Sequence, residues 1–273
     1  MISQQIGATE MASRLDITNK SLGQHWLTDP TILSRIAEPA HISNQDVVLE
    51  IGPGLGTLTN VLCEQAKSVI AVEFDRHLAQ DLTKKQISNL TVLNEDFLQF
   101  DLNQLPMGYK VVANIPYYIT AKIVQKLLTA GNKPAVAVLL VQKEVAERLA
   151  AEPGDMSILA VSAQIYAEVS LGDAVPAAFF TPPPKVDSQV VILKTLSKPR
   201  FAEFDERAFF RAVKAGFSAR RKKLRSSIAG GLGVSKPAAE ELLAKSNIDP
   251  NLRAQDLSLA DWQNLAKNSI ISE

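Results

Sequence analysis

Apolar positions along this chain follow two rhythms. Between residues 47 and 141, short runs rich in β-branched residues alternate with stretches where apolar residues return every three or four positions. Strands buried on both faces read as continuous apolar runs, and the helices that cover them read with the 3.6-residue period. The runs predict strands at 47–51, 68–73, 90–93, 110–113 and 135–141, helices at about 76–85 and 120–128, and a last strand pair around 159–169 and 188–194. A helix carrying Ile32 and Ile36 precedes the first strand, and residues 1 to about 18 are expected to be a poorly structured lead-in. Beyond Pro199 only the helical period remains. Phe210, Val213, Phe217, Leu224 and Ile228 form an apolar stripe, breaks are expected at 230–233 and at Asp249-Pro250, and Ser258 with Asp261 predicts a capping box. Alternating strand and helix is the signature of a doubly wound, mostly parallel sheet. The expected layout is an α/β, Rossmann-like domain over 1–198 and a small all-α domain over 199–273.

Composition narrows this only slightly. The 273 residues carry 29 Lys and Arg against 29 Asp and Glu, so net charge speaks weakly against a nucleic-acid partner and the clustering of charge matters more. Cys63 is the single cysteine, which excludes an intrachain disulfide and suits a reducing compartment; on the helix after the first strand it reads as a structural thiol. His25, His41 and His77 lack metal-ligand spacing, so no metal site is expected. No signal peptide or apolar span of membrane length is visible, so the cytosol and no membrane partner are expected.

The chemistry gathers at strand ends. The first strand runs through Glu50 into Gly52-Pro53-Gly54-Leu55-Gly56 and then a helix. Such a turn is either an ordinary strand-to-helix connection or a ligand cradle, because glycines admit a close approach and a helix start offers free N–H groups. The spacing is not the G-x-G-x-x-G of dinucleotide enzymes. An acid just before the turn would repel a pyrophosphate, but it suits a cofactor with a positively charged amino-acid head. The second strand ends at Glu73, near the roughly 20-residue interval at which an acid meets a ribose hydroxyl pair. Together these point to S-adenosylmethionine. Asp96, after the third strand, is either a turn cap or a partner for the cofactor's adenine amine.

Asn114-Ile115-Pro116-Tyr117 closes the fourth strand. An exocyclic adenine amine is a poor nucleophile because its lone pair is delocalised into the ring. The Asn114 oxygen and the Ile115 carbonyl, held by Pro116, can accept both N6 hydrogens and favour a tetrahedral nitrogen, while Tyr117 stacks on the extracted base. A stiff segment, Phe179-Phe180-Thr181-Pro182-Pro183-Pro184, is expected to hold Phe180 against the same cleft. The segment around Trp26 and Leu27 is either an arm over the cofactor cleft or an anchor for a loose terminus. Lys214, Arg220, Arg221, Lys222, Lys223 and Arg225 have no acidic residue among them; they form either a solvated face or a surface for RNA phosphates.

These residues resemble the ribosomal RNA adenine N6,N6-dimethyltransferases over nearly the whole chain. The resemblance rests on Gly23 to Leu27, Glu50-Ile51-Gly52-Pro53-Gly54, Val72-Glu73, the Asp96 turn, Asn114-Ile115-Pro116-Tyr117, Phe180 to Ser188, and Phe217-Ser218-x-Arg220-Arg221-Lys222-x-Leu224-Arg225. It implies a methyltransferase sheet with one antiparallel strand, cofactor contacts from His25, Leu27, Gly52, Glu73, Asp96 and Asn114, and catalysis by Asn114, Pro116 and Tyr117. It also implies a substrate of two adjacent adenines in the 3′-terminal hairpin of small-subunit rRNA, met by a monomer on an immature subunit. The family pattern usually reads Gly-Gln-Asn-Phe-Leu in the arm and Tyr-Asn after the proline, where this chain has His25, Trp26 and Tyr118. A large-subunit adenine-N6 methylase and a non-catalytic assembly factor are the competing readings.

Overall fold

The structure, a computed structural model, describes residues 25–270. The lead-in expected over 1–18, and Gly23 and Gln24 of the arm, lie outside the described residues. The chain divides into two compact units. One holds the chain up to Ala146 together with Ser170–Thr195; the other holds Glu147–Val169 and everything from Leu196 onward. The change of pattern at Pro199 therefore lies near only one of the entries into the second unit.

The first unit is built on a sheet. Its strands, in chain order, are β2 (Val47–Ile51), β3 (Ser68–Glu73), β4 (Leu90–Asn94), β5 (Lys110–Asn114), β6 (Val136–Gln142), β7 (Ala167–Val175) and β9 (Ser188–Thr195); a two-residue strand, β1 (Trp26–Leu27), pairs outside this sheet with β8 (Phe180–Thr181). The spatial order is β4-β3-β2-β5-β6-β9-β7. Neighbours from β4 through β6 run parallel, and β9 lies antiparallel on β6 with Val136 opposite Lys194 and Gln142 opposite Ser188. From β2 the chain winds outward one way to β3 and β4, then returns to the other side of β2 for β5 and β6. That reversal opens a crevice at the carboxyl ends of β2 and β5, the place where sheets of this kind bind ligands.

The strands are continuous apolar runs because both faces are covered. Val48, Leu49, Val69, Ala71, Val111, Val112 and Val138 are fully enclosed. Covering helices include α1 (Pro30–Ala37), α2 (Thr57–Gln65), α3 (Arg76–Thr83) and α4 (Thr120–Thr129). The Asp29 carboxylate caps α1 through the N–H groups of Thr31 and Ile32, and Asp75 caps α3 in the same way through His77 and Leu78.

One expected strand is a helix. The start of the 159–169 run folds as α6 (Ile158–Gln164), preceded by α5 (Lys143–Leu149), and the strand that follows is β7. Ser157 accepts a hydrogen bond from the Ala160 N–H and so starts a helical turn, with Ala160, Val161 and Ala163 facing inward. A short apolar run reads the same in a buried strand and a buried helix, so periodicity could not separate them.

The second unit continues with α7 (Glu206–Phe217), α8 (Leu224–Leu232), α9 (Lys236–Lys245) and α10 (Leu259–Ile270). The expected stripe runs over two helices, and Phe209, rather than Phe210, is the fully enclosed ring. The glycine break also shifts: Gly230 and Gly231 lie inside α8, which ends only at Gly233. A Cβ on Gly231 would stand 2.4 Å from the Ala215 Cα, so this glycine lets α7 and α8 pack backbone to backbone. The capping box forms as expected, with Ser258 Oγ accepting from the Asp261 N–H and Asp261 accepting from the Ser258 N–H. Among the described residues no helix is long and apolar enough to cross a membrane.

Candidate active site

The glycine turn leaves β2 with Gly52 donating to the Val72 carbonyl at 2.9 Å and Gly56 donating to that of Pro53. Gly52, Gly54 and Gly56 all have φ between 56° and 74°, a left-handed path that lets the turn fold tightly beneath α2. The amino end of α2 has no side-chain cap, so its leading N–H groups remain open to a ligand.

Glu73 holds this turn in place. Its Oε2 accepts from the Gly54 N–H at 3.0 Å and its Oε1 from the Asp75 N–H at 2.8 Å. Burial pushes its carboxyl up, and those two amides act the other way. The Phe74 amide adds a third, weaker contact, and a carboxylate's roughly four lone-pair sites still leave capacity for a hydroxyl donor. Asn94 donates to the carbonyls of Glu73 and Phe74 and so fixes the strand end that carries the acid. Asp96 forms the turn cap expected of it, accepting from the Leu98 N–H at 2.9 Å, and also borders the same cavity as Glu73.

That cavity measures about 290 Å³. His25, Leu27, Gly52, Glu73, Asp96, Asn114, Pro116 and Tyr117 all line it, so the residues expected from strand ends far apart in sequence meet at one place. The Asn114 turn faces the glycine turn directly, since a Cβ on Gly52 would lie 3.9 Å from the Pro116 ring. The Tyr117 hydroxyl is bonded to Ser188 Oγ of β9 at 2.7 Å, and burial raises its pKa. Ser188 opens the strand expected at 188–194; its role as the tether of Tyr117 comes from the β6–β9 pairing, which no local pattern shows.

The arm closes one side. Trp26 pairs with Thr181 and Leu27 with Phe180 in a two-stranded ribbon, and Thr57 donates its hydroxyl to the Leu27 carbonyl at 2.8 Å. The Trp26 ring lies against Gly54, where a Cβ would come within 2.4 Å of it. Trp26 and Leu27 are buried, and the segment they fix borders the cavity. His25 Nδ1 is 2.7 Å from the Pro182 carbonyl, which can only accept, so Nδ1 carries the hydrogen. The imidazole lies over the Tyr117 ring, centroids 6.1 Å apart and planes 22° apart.

Phe180 departs from expectation. It is 3% exposed and packs with Leu27, Val175 and Val190 in the apolar core, away from the cavity lining. Pairing with β1 turns its side chain inward and leaves Phe179 as the exposed ring of the two, at 46%. The basic cluster needs one correction as well. Lys214, Arg220, Arg221, Lys222 and Lys223 are exposed at the end of α7 and in the turn before α8, but Arg225 is half-buried and pairs with Glu240 of α9 at 3.5 Å. Lys223 donates to the Asn251 side chain. Cys63 is half-buried and its thiol is pushed up to about 11 by burial and by Glu50, which makes it a poor nucleophile.

A family model described as "Ribosomal RNA adenine dimethylase" matches residues 16–270. The chain is 41% identical over 254 residues to the "Ribosomal RNA small subunit methyltransferase A" of Dehalococcoides mccartyi (strain CBDB1), covering 90% of this chain and 86% of that one. Among solved structures, a dimethyladenosine transferase from Plasmodium falciparum matches with a TM-score of 0.75 at 29% identity, over 88% of this chain and 96% of the other. The 23S rRNA methyltransferase ErmE matches with a TM-score of 0.72 at 28% identity, over 89% of this chain and 98% of the other.

Glu50 stands out energetically. It is 1% exposed, its Oε2 has no partner among the described residues, and it borders the cavity. Desolvation, with the nearby Glu73 adding to it, pushes its carboxyl from 4.5 up to about 8. The folded chain therefore keeps a proton that the unfolded chain releases above pH 4.5. Stability contributed by this group falls as pH rises from 4.5 to 8 and is level beyond. The shift corresponds to a loss on the order of 4 kcal/mol at pH 8. Glu50→Gln should therefore match the wild type in stability near pH 4.5 and exceed it by a margin that grows toward pH 8, read by chemical denaturation of the ligand-free protein across that range. A margin that stays constant with pH would mean that Glu50 is ionised and compensated in the fold.

Proposed function

The chain belongs to the ribosomal RNA adenine dimethylase family, and from that premise we propose that it transfers methyl groups from S-adenosylmethionine to the N6 amines of two adjacent adenines in the 3′-terminal hairpin of small-subunit rRNA. The observation that carries this reading is the confrontation of two turns across one crevice: the glycine turn with Glu73 on one side, the Asn114 turn on the other. The small-subunit assignment is supported by the relative at 41% identity, named as a small-subunit methyltransferase. The enzyme would work as a monomer on an immature small subunit in the cytosol.

The residues present fit the cofactor. The half-satisfied carboxylate of Glu50 suits a positively charged amine, and the Glu73 carboxylate keeps capacity for a ribose hydroxyl. Asp96 keeps one oxygen beyond its Leu98 bond to accept from an adenine amine. Gly52, Leu27 and Asn114 line the remaining wall. S-adenosylmethionine supplies an electrophilic methyl group on a sulfonium centre. For its part the chain orients the attacking amine: the Asn114 side-chain oxygen and the Ile115 carbonyl accept the two N6 hydrogens and localise the lone pair, and the Tyr117 ring stacks on the base. No lysine or second acid stands in the Asn114 turn, and the amine can lose its proton to solvent after transfer. Direct displacement driven by positioning, with no general base, is the mechanism that follows.

The deciding experiment is methylation of small-subunit particles lacking the modification, with large-subunit rRNA as the parallel substrate and mass spectrometry as the readout. Dimethyladenosine in the small-subunit hairpin is expected; modification of large-subunit rRNA instead would assign the chain to the other branch. In that assay Asn114→Ala should lower the single-turnover rate by something like 10²–10³ while cofactor affinity falls less. At saturating cofactor the wild-type rate should show no titration between about pH 6 and 8, and a sigmoid rise abolished by one substitution would reveal a base.

Two binding measurements test the supporting sites. Glu73→Ala should weaken S-adenosylmethionine binding by about 1–3 kcal/mol in calorimetric titration, the loss expected for charge-assisted hydrogen bonds. Unchanged affinity in a folded variant would place the ribose elsewhere. Replacing Arg220, Arg221, Lys222 and Lys223 together should weaken RNA binding and flatten its salt dependence, by roughly 0.7–0.9 in log–log slope per lost phosphate contact. An unaltered slope would leave the cluster a solvated face.

A further inference from the structure

We propose that Lys126 of α4 is a positioning residue for the cofactor site: it clamps the Asp96 turn from behind, and through that clamp it sets how well the site tells adenine from a purine without the 6-amine. The inference rests on the reading above in which Asp96 accepts from the adenine amine. Lys126 does not itself border the cavity.

The turn needs support from outside. β4 is the outermost strand of the sheet, so no further strand buttresses the segment that follows it. Part of the support is local: Asp96 accepts from the Leu98 N–H at 2.9 Å through its side chain, and from the N–H groups of Gln99 and Phe100 through its carbonyl at 2.8 and 3.0 Å. The rest comes from α4, the helix that follows the Asn114 turn. Lys126 is half-buried beside the enclosed Ile123 and Leu127, and its Nζ donates to the Leu98 carbonyl at 2.9 Å. The same Nζ stands 5.4 Å from the centre of the Phe97 ring, within the range of a cation–π contact, and Phe97 is itself buried against Phe100.

Leu98 borders the cavity, and its N–H goes to Asp96 while its carbonyl goes to Lys126, so the backbone on both sides of this residue is held. Burial pulls the Lys126 pKa down, and the nearby carboxylates of Asp96 and Asp101 oppose that loss of charge. The Asp96 oxygen left over by Leu98 is thus carried on a turn that cannot shift without breaking the Lys126 contacts. Hydrogen bonds weaken steeply with distance and angle. A turn free to move would still enclose a purine, yet lose the preference for one that bears an amine.

Calorimetric titration with two probes separates this role from plain support of the fold: S-adenosylhomocysteine, and the analogue whose base is purine without the 6-amine. The wild type should prefer the first by on the order of 10–100-fold, as expected for a hydrogen bond to a carboxylate, and Asp96→Ala should bring the ratio near unity. Lys126→Met, which keeps the apolar stem, and Lys126→Ala should each lower the ratio by roughly 3–10-fold through weaker binding of the amine-bearing probe, with affinity for the other probe little changed. Lys126→Arg, which keeps a cation and a donor, should retain most of the preference. An unchanged ratio in Lys126→Met and Lys126→Ala would overturn the proposal, as would an equal loss of affinity for both probes, the result expected of a lysine that only stabilises the fold. A ratio left intact by Asp96→Ala would overturn it too, since the amine would then be read elsewhere. Failure of the wild type to bind S-adenosylhomocysteine would overturn the cofactor reading and this inference with it, whereas binding with a preference indifferent to Lys126 overturns the inference alone.

Discussion

The backbone of Gly54 is the joint on which the first unit's site depends. Its N–H is held by Glu73 at the end of β3, its α-carbon is pressed by the Trp26 ring from the arm, and its φ of 56° keeps the turn folded under α2. Three segments distant in sequence are thereby fixed to one residue. Any side chain there would strike Trp26 and strain the backbone together, so the arm, the turn and the acid are positioned as one piece. At the same joint the amides of Gly54, Asp75 and Phe74 offset only part of the burial that pushes the Glu73 carboxyl up.

Next to this joint the chain tolerates an unfavourable feature. Glu50 is enclosed with an unmatched oxygen, a few residues before the turn and within electrostatic reach of Glu73. Desolvation, with the neighbouring carboxyl adding to it, raises the proton affinity of Glu50, and burying a carboxyl with one oxygen unmatched weakens the fold. A ligand carrying a positive amine reverses the sign of the local field and allows Glu50 to ionise. A cationic ligand bound beside Glu50 would relieve that destabilisation.

On the Asn114 side of the cavity, rigidity comes from pairing rather than from packing alone. Tyr117 is tethered through β9, His25 through the proline segment, and that segment through its ribbon with the arm. Side chains tethered this way are already ordered in the free protein, which lowers the entropy that a ligand entering the cavity would lose on binding. The departures of this chain from the usual arm sequence meet the two turns of the site: Trp26 covers Gly54 and His25 stacks on Tyr117.

What the sequence determined by itself is whatever is encoded over a few adjacent residues. Strands at 47–51, 68–73 and 110–113, the glycine and Asn114 turns, and the capping box at Ser258 were legible because burial on both faces, positive φ and end-capping leave local signatures. The strand-end placement of Glu73, Asp96 and Asn114 was legible too, since parallel sheets collect their ligand groups at one edge. Tertiary structure alone decided which face of a segment turns inward and which charges meet. The run at 158–164 became a helix because Ser157 caps it, Phe180 went to the core and Phe179 to the surface through the register with β1, and Ser188 reached Tyr117 through the β6–β9 pairing. Arg225 met Glu240 because α8 packs on α9. In each case the deciding partner lies too far along the chain for a local pattern to report it: register and packing are set by contacts across the fold, and one residue of slip exchanges inside for outside.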